Sequence, residues 1–149
     1  VRRTRIDEPP GPACSTTPAR LLYRCFGGKS DILPVAVVCF VDHINISETA
    51  DQLVEDEETE TEAMREVSFS LQVMRFEPGD EDPMHAHAEE EIYHINAGEA
   101  TLVTADESID VGPGDVVHLD PGTDHQFTDF QDEFVTTVMY APAEGSQES

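Results

Sequence analysis

The stretch that decides the fold is Gly79-Asp-Glu-Asp-Pro-Met-His85-Ala-His87-Ala-Glu-Glu-Glu91-Ile-Tyr-His-Ile-Asn-Ala-Gly98. Successive side chains of an extended chain point to opposite faces, so residues of equal parity share a face. If the chain stays extended through residues 88–90, His85, His87 and Glu91 face one space. Two imidazoles and a carboxylate suit a divalent first-row transition metal with open coordination positions. We therefore interpret the stretch as a metal site; the alternative is a polar loop with scattered histidines.

The composition is that of one strongly acidic domain. The chain has 149 residues, with 32 Asp and Glu against 8 Lys and Arg and a formal net charge of −24. This length supports one domain with its own core. Such a charge repels phosphate backbones, so we expect no nucleic-acid partner. No apolar stretch approaches the roughly 20 residues of a membrane-spanning helix, so we expect no membrane partner and a cytoplasmic location.

Lysine is almost absent from the chain, since Lys29 stands alone beside seven arginines. In strong salt the Debye length falls to about 3 Å, so crowded carboxylates repel one another little. We interpret the composition as adaptation to a salt-rich cytoplasm, as in halophilic archaea. The alternative is an acidic protein of no special habitat.

Residues 1–40 differ from the rest of the chain in charge. They carry six basic and three acidic side chains, for a net charge of +3, whereas residues 41–149 carry two basic and 29 acidic side chains, for −27. All three cysteines lie in the first segment, without metal-ligand spacing, and an odd count argues against a disulfide framework. A targeting segment is disfavoured because Arg2 and Arg3 lie far from the apolar run that begins at Ile32; a basic functional arm is a further alternative. We predict that residues 1–40 are disordered or not native, as in an over-extended reading frame.

The next segment, residues 41–66, is predicted to hold an N-terminal edge strand and an acidic loop. A short alternation over Asp42–Ser47 indicates the strand. Ser47 is then predicted to cap a short helix that runs through Leu53-Val54. The acidic run Glu55–Glu62 is interpreted as a solvated loop, with a cation-binding role as the alternative.

Residues 67–141 have the pattern of short strands separated by turns. From Val67 to Phe76, apolar side chains at odd positions alternate with polar ones, which predicts a strand whose odd-numbered face points inward. Many short strands with close-set Gly and Pro turns are typical of an all-β sandwich or barrel. Residues 142–149 are interpreted as a polar tail. The further predicted strands are Met84–His87, Ile92–Asn96, Glu99–Ala105, Ser108–Val111, Asp115–Leu119, His125–Asp129 and Phe134–Ala141, with a tight turn at Ala97-Gly98.

The first stretch resembles the first motif of the cupin family. That motif is a glycine, five residues, His-x-His, three or four residues, Glu, six residues and a glycine, and this chain meets every fixed position. The positions are Gly79, His85, His87, Glu91 and Gly98.

A second motif of the same family lies downstream, and is met at Gly114, Gly122 and His125. It departs at Asp120, where the family usually has proline, and at Asp129, where asparagine is common. Neither departure falls on His85, His87, Glu91 or His125. The resemblance covers roughly residues 67–140.

The resemblance implies a small single-domain cupin, which is a double-stranded β-helix or jelly-roll barrel with little helix. It implies that His85, His87, Glu91 and His125 bind one metal at the mouth of the barrel. Fe, Mn, Ni, Co, Cu and Zn all tolerate such a ligand set, so the sequence does not choose among them. A six-coordinate ion would keep two positions for water or substrate.

Two further residues are predicted to bind substrate. Tyr93 shares the parity of Glu91 and is predicted to line the pocket; a core tyrosine with a satisfied hydroxyl is the alternative. Arg75 continues the odd-numbered face of its strand, and a guanidinium pointing inward would anchor a substrate carboxylate or phosphate. On that hypothesis the ligand is a small anionic molecule. A bulge before Pro78 would turn Arg75 outward.

Other polar residues near the motifs are given no role in the site. His94 has the opposite parity and is predicted to face away from the metal, and His118 is predicted to lie at the surface. Glu89 and Glu90 are predicted to face solvent, which leaves the sequence without a clear general acid or base. His43 belongs to no recognisable pattern.

The fold and the metal site do not name a reaction, because cupins span dioxygenases, isomerases, decarboxylases, sugar-binding domains and storage proteins. We predict a metal-dependent enzyme of dioxygenase, isomerase or lyase type that acts on a small organic substrate. The alternative is a non-catalytic module that binds a small metabolite or sugar through its metal. Because an all-β domain must cover its edge strands, we also expect a homodimer.

Overall fold

The computed structural model describes residues 2–5 and 40–147, and for residues 2–5 it describes the backbone alone. The chain divides into two compact units, Val1–His43 and Ile44–Ser149. In the first unit, strand β1 (Arg2–Arg5) pairs antiparallel with strand β2 (Phe40–His43). Most of the segment predicted to be disordered or not native, residues 6–39, lies outside the described residues. That hypothesis stays a prediction.

The second unit opens with helix α1 (Ile46–Asp56). Its N-cap is Asn45, whose side chain accepts a hydrogen bond from the amide of Glu48 at 3.1 Å. The predicted cap at Ser47 and the predicted strand over Asp42–Ser47 are therefore wrong in position. Asn at the N-cap satisfies an amide that has no partner within the helix, and the sequence offered two candidate caps only two residues apart.

An antiparallel sheet makes up the rest of the second unit, in the order β3-β4-β8-β5-β6, with β7 also paired to β5. The all-β prediction is confirmed. The acidic run predicted as a loop from residue 55 to 62 is instead the end of α1, a turn and the start of β3. The strands are β3 (Glu60–Arg65), β4 (Ser70–Phe76), β5 (Glu90–Thr104), β6 (Ser108–Val111), β7 (Val116–Leu119) and β8 (His125–Ala141).

Two long strands replace four predicted short ones. β5 passes through the predicted turn at Ala97-Gly98, and its pairing with β8 shifts register between Ile95 and Thr101. Gly98 lies at φ +73°, and a Cβ there would be 2.3 Å from the carbonyl oxygen of Glu133. The glycine therefore marks a bulge where two backbones approach closely, rather than a turn.

The two faces of β4 belong to two different cores. The even-numbered side chains Gln72, Met74 and Phe76 are buried, and Met74 and Phe76 belong to the cluster that fills the barrel. Val73, on the odd-numbered face, packs against the helix in a separate cluster. The prediction that the odd face points into the barrel is therefore wrong. The second cluster consists of Ala50, Leu53, Ala63, Val73 and Val135.

Among the helices of the described residues, none is long and apolar enough to cross a membrane.

Candidate metal centre and its cavity

Three histidines converge from two segments of the chain. The backbones of His85 and His125 exchange two hydrogen bonds, of 3.0 and 2.9 Å, as an isolated antiparallel bridge. This bridge holds their ring centroids 4.5 Å apart. The ring of His87 lies 5.0 Å from that of His85 and 6.3 Å from that of His125. The structure thus brings together the three histidines that the two motifs predicted as ligands.

The fourth predicted ligand, Glu91, lies on β5 and is 1% exposed. Its Oε2 is 3.3 Å from Nε2 of His125. The hydroxyl of Tyr93 donates to Glu91 Oε2 at 2.8 Å and lies 3.0 Å from His125 Nε2. Tyr93 is itself fully buried. It therefore contacts both the carboxylate and the imidazole. Tyr93 does not line the cavity beside His85 and His87, so its environment is that of the alternative, a core tyrosine with a satisfied hydroxyl, and its predicted contact with substrate stays a prediction.

The Glu91–His125 pair favours its ionised form. Burial by itself raises the pKa of the Glu91 carboxyl, but the hydrogen bond and charge of His125, together with the Tyr93 hydroxyl, bring that pKa below its ordinary value. Burial likewise lowers the pKa of the His125 imidazole, but its contacts with Glu91 and with the Thr123 carbonyl raise that pKa overall. The pKa of the Tyr93 hydroxyl is raised, first by burial and then by nearby groups that include Glu91. The two shifts run in opposite directions, and each favours the charged form of its group.

Backbone carbonyls orient two of the imidazole rings. Nδ1 of His85 lies 2.6 Å from the Pro83 carbonyl oxygen, and Nδ1 of His125 lies 2.8 Å from that of Thr123. A carbonyl only accepts, so each Nδ1 carries a proton, and in the neutral ring Nε2 keeps its lone pair. Metal-binding histidines are fixed in the same way by an acceptor on the other ring nitrogen.

The donor set fits a divalent transition ion by its chemistry: three imidazoles, two of them with Nδ1 oriented by a backbone carbonyl, and one buried carboxylate. Within the described parts of the chain, no group of three or more His, Cys, Asp or Glu side chains forms a ready-made metal site. The facing atoms of Glu91 and His125 contact each other and the Tyr93 hydroxyl. An ion would have to take the place of that contact.

A cavity of about 240 Å³ adjoins His85 and His87. It is closed partly by the ring of Tyr140, which lies 4.8 Å from that of His87. The remaining polar side chains that line it are Glu60, Gln72, Asp82 and Glu144.

Sequence reasoning missed Asp82, a carboxyl group at this cavity. Asp82 is only 9% exposed, and its Oδ2 accepts a 2.8 Å hydrogen bond from the amide of Phe127. Burial raises the pKa of its carboxyl group. Asp82 belongs to a run of acidic loop residues, and nothing in the sequence separates it from its solvated neighbours.

Glu144 was missed because it belongs to the segment interpreted as a polar tail. Its amide donates to Ser70 Oγ at 2.9 Å, and its carbonyl accepts from Arg65 at 2.7 Å. Its carboxyl accepts from the Gln72 amide and lies 3.6 Å from Nδ1 of His87. These contacts hold the start of the tail against the cavity, and burial raises the pKa of the Glu144 carboxyl.

The predicted inward position of Arg75 is wrong. Its guanidinium donates to Glu77 at 2.7 Å and to Glu133 at 2.8 Å, and Arg75 is absent from the cavity lining. The cause is the reversed parity of β4, which places Arg75 on the face away from the barrel interior. The hypothesis of an anionic ligand loses the residue on which it rested.

Of the predictions for the other polar side chains near the motifs, three are confirmed and one is wrong. His94 is exposed, and His118 is half-exposed beside Glu90, 3.7 Å from its carboxylate, so the three predictions of surface positions are confirmed. Glu89 was predicted to face solvent, and this is wrong: it is 1% exposed and accepts a 3.2 Å hydrogen bond from the Gln147 amide. The tail residue that covers Glu89 is remote in sequence, which is why local pattern gave no sign of it.

Known proteins resemble this barrel both in sequence and in structure. Residues 72–139 match the family model described as a cupin domain. An uncharacterized protein of Streptomyces coelicolor is 27% identical over 81 residues, which cover 54% of this chain and 77% of that protein. A cupin 2 conserved barrel domain protein from Salinispora arenicola is 26% identical, with a TM-score of 0.50, over 55% of this chain and 73% of its own.

Two further solved structures are similar to this barrel. A double-stranded β-helix cupin from Methanocaldococcus jannaschii has a TM-score of 0.53 at 18% identity, over 56% of this chain and 78% of its own. The DMSP lyase DddQ from Ruegeria pomeroyi is 30% identical, with a TM-score of 0.50, over 56% of this chain. The match spans 42% of the length of that lyase.

Proposed function

Since the barrel of residues 72–139 is a cupin domain, we propose that it binds one divalent transition metal and acts on a small organic substrate in the adjoining cavity. The proposed ligands are His85, His87, Glu91 and His125. The observation that carries the proposal is the convergence of three imidazoles, of which those of His85 and His87 line the cavity, while those of His85 and His125 have Nδ1 bound to a backbone carbonyl. In the neutral form of these two rings, that arrangement leaves Nε2 as the nitrogen with a lone pair.

The chain's own residues would orient the ligands and carry protons. The carbonyls of Pro83 and Thr123 fix two rings, and the Tyr93 hydroxyl fixes the Glu91 carboxylate. A divalent ion in this set would supply Lewis-acid polarisation of a substrate carboxylate or enolate, or O₂ activation if it is iron. The carboxyl groups of Asp82 and Glu144 line the cavity, and they supply the acid or base group that the sequence did not show.

Among reaction classes, we place elimination of the lyase type first. The support is the 30% identity to a solved structure whose name states a lyase activity, together with two carboxyl groups at the cavity that would accept a substrate proton. Dioxygenase and isomerase chemistry are the alternatives, as is a non-catalytic module that binds a metabolite or sugar. Turnover that continues without O₂ would separate elimination and isomerisation from a dioxygenase, and binding without turnover would support the module.

The metal is tested first, by elemental analysis of protein purified without a metal-affinity column and reloaded with Fe²⁺, Mn²⁺, Ni²⁺, Co²⁺, Cu²⁺ or Zn²⁺. We expect about one ion per chain, and loss of that ion in His87→Ala. His118→Ala is the matched control, because His118 is half-exposed and is not one of the proposed ligands. Equal metal content in the two variants would contradict the proposed site.

The homodimer, the cytoplasmic location and the salt-rich habitat remain predictions from the sequence. Sedimentation of the chain at low and high salt tests the first and the third together, since a halophilic fold is expected to lose structure when its crowded carboxylates are no longer screened.

A further inference from the structure

Carboxyl groups are the most numerous ionisable side chains in the lining of the cavity. Apart from histidine, its ionisable lining side chains are the carboxyl groups of Glu60, Asp82 and Glu144, together with the hydroxyl of Tyr140. Both arginines of the second unit are engaged elsewhere. Arg75 pairs with two glutamates outside the cavity, and the guanidinium of Arg65 pairs with Glu62 and donates to a backbone carbonyl. Among the described residues, no lysine or arginine of the lining therefore neutralises these carboxyl groups.

One oxygen of Asp82 has no hydrogen-bond donor among the described residues. Its Oδ2 accepts from the Phe127 amide, whereas its Oδ1 has only Nδ1 of His85 nearby, at 3.9 Å. That distance is too long for a hydrogen bond, and the proton on this nitrogen is already donated to the Pro83 carbonyl. Asp82 is more than nine-tenths buried and lines the cavity. Because Asp82 lines the cavity, a ligand donor there could bond to this oxygen.

Glu144 presents a second acceptor to the same space. One of its carboxyl oxygens takes the Gln72 amide, and the other lies 3.6 Å from the His87 ring, which again is too long for a hydrogen bond. The buried ring of Tyr140 lies beside it in the lining, and aromatic rings attract a cation. The cavity thus combines two acceptor oxygens with an aromatic wall.

We propose that the cavity selects small organic molecules that carry an ammonium group. The ammonium donates to the carboxyl groups of Asp82 and Glu144, while a second group of the same molecule reaches the metal; the second contact rests on the proposed function. A volume of about 240 Å³ is below the roughly 300–1,000 Å³ of drug-sized ligand sites. The ligand is therefore a short molecule, with the ammonium at one end and the metal-binding group at the other.

Three probes of matched length test the proposal by calorimetric titration of the metal-loaded protein. 4-Aminobutanoate has the ammonium, pentanoate replaces it by a methyl group, and pentanedioate replaces it by a carboxylate. We expect 4-aminobutanoate to bind at least roughly tenfold more tightly than pentanoate, since a charge-assisted hydrogen bond contributes on the order of 1.5–3 kcal/mol. Pentanedioate should bind more weakly than either. If 4-aminobutanoate does not bind at millimolar concentration, or if pentanoate or pentanedioate equals it, the proposal is overturned.

Isosteric variants assign the selectivity to the two carboxyl groups. In Asp82→Asn and Glu144→Gln, we expect the preference for 4-aminobutanoate over pentanoate to fall to roughly threefold or less, because the charge is gone while the amide still fills the space. Glu107→Gln is the matched control, since Glu107 is exposed and outside the cavity. If both cavity variants keep the full preference of the control, the assignment is wrong. Thermal unfolding of each variant, compared with the parent, shows whether one has lost its fold, and the other variant then decides.

The failure of this proposal is distinguishable from failure of the proposed function. A protein that binds one metal but prefers pentanoate or pentanedioate refutes the ammonium site alone. A protein that binds no metal but still prefers 4-aminobutanoate refutes the metal function alone.

Discussion

The interior of the barrel has two regions of opposite character, one aromatic and one built from histidines and carboxyl groups. In the aromatic region, Phe76 and Phe130 stack at 4.7 Å, and the rings of Phe127 and Phe134 lie 5.3 Å apart. The four side chains are buried and need no hydrogen bonds. Burial of such rings contributes to stability in proportion to the apolar area removed from water.

The histidine region buries polar groups that must satisfy one another. Glu91 and His125 are as deeply buried as the phenylalanines, yet a buried ion pair is weak evidence for stability, because desolvation offsets its attraction. The two regions meet at Tyr93, whose ring lies 5.1 Å from that of Phe127 while its hydroxyl binds the ion pair. The comparison indicates that one region stabilises the fold, whereas the other holds the polar groups that we propose as metal ligands.

The largest expected effect is the loss of stability caused by truncating a side chain of the aromatic region. Phe134→Ala removes a fully buried ring and should lower the free energy of unfolding by about 3–5 kcal/mol. Urea unfolding of the metal-free protein in strong salt measures this. Val67→Ala is the control, since Val67 is 76% exposed and its truncation should change stability by less than about 0.5 kcal/mol. A loss in Phe134→Ala no greater than in the control would break the division between the regions.

The next largest expected effect is the loss of metal affinity caused by a substitution in the histidine region. Glu91→Gln removes a proposed ligand and should weaken divalent-metal binding roughly 100-fold, equivalent to about 2.7 kcal/mol, because a neutral amide is a much poorer ligand than a carboxylate. Competition with a chelating dye gives the affinity. Glu90→Gln, one residue away with its side chain 57% exposed, should bind metal as the parent does. Equal affinities in the two variants would remove Glu91 from the site.

The pH dependence of the metal-free protein gives a smaller effect with a defined sign. The pKa of Glu91 is lowered by folding, so its contribution to stability is present above its ordinary pKa near 4.5 and is lost as the pH falls through the lower, folded value. The pKa of His125 is raised, so its contribution is present below its ordinary pKa near 6.5 and is lost as the pH rises through the higher, folded value. A tenfold difference in a group's acid dissociation constant between the folded and unfolded chain changes the free energy of unfolding by about 1.4 kcal/mol.

Stability of the metal-free chain should therefore be greatest between these two limits and decline on either side. Metal affinity should behave differently on the alkaline side and keep rising there, because metal binding needs the neutral imidazole. Unfolding in urea and metal titration across about pH 5–9 test the two trends around the ordinary pKa of histidine. In Glu91→Gln the alkaline decline in stability should be reduced, since the group that raises the pKa of His125 is gone; an unchanged decline would assign it to other groups.

The sequence predicted that these histidines and Glu91 lie together because the spacing of His85, His87 and Glu91 is local and the turn before His125 is marked by glycine. It did not predict the orientation of β4, for a physical reason. A strand that packs on both faces carries apolar residues on both, and here Val73 faces the helix while Met74 faces the barrel. Alternation shows that two faces exist but does not show which one lines the site.

Local sequence pattern did not predict the carboxyl groups at the cavity, for a related reason. Acidic side chains occur along the whole second unit, so their presence in the loop before His85 or in the tail carries no information. What distinguishes Asp82 and Glu144 is a set of long-range contacts, with Phe127 and with Ser70. Such contacts exist only once the barrel has closed.

The smallest expected effect is that of Arg75→Gln, and it tests the orientation of β4 directly. Arg75 bonds two glutamates that are about half exposed, and ion pairs with exposed partners contribute about 0–1 kcal/mol. We expect a loss of stability within that range, measured by urea unfolding, with metal content and the affinity for pentanedioate unchanged. If Arg75→Gln instead weakens pentanedioate binding tenfold while metal content stays the same, the odd-numbered face of β4 lines the site after all. The acidic cavity would then no longer describe what the protein binds, because an inward guanidinium would give the pocket an anion site of its own.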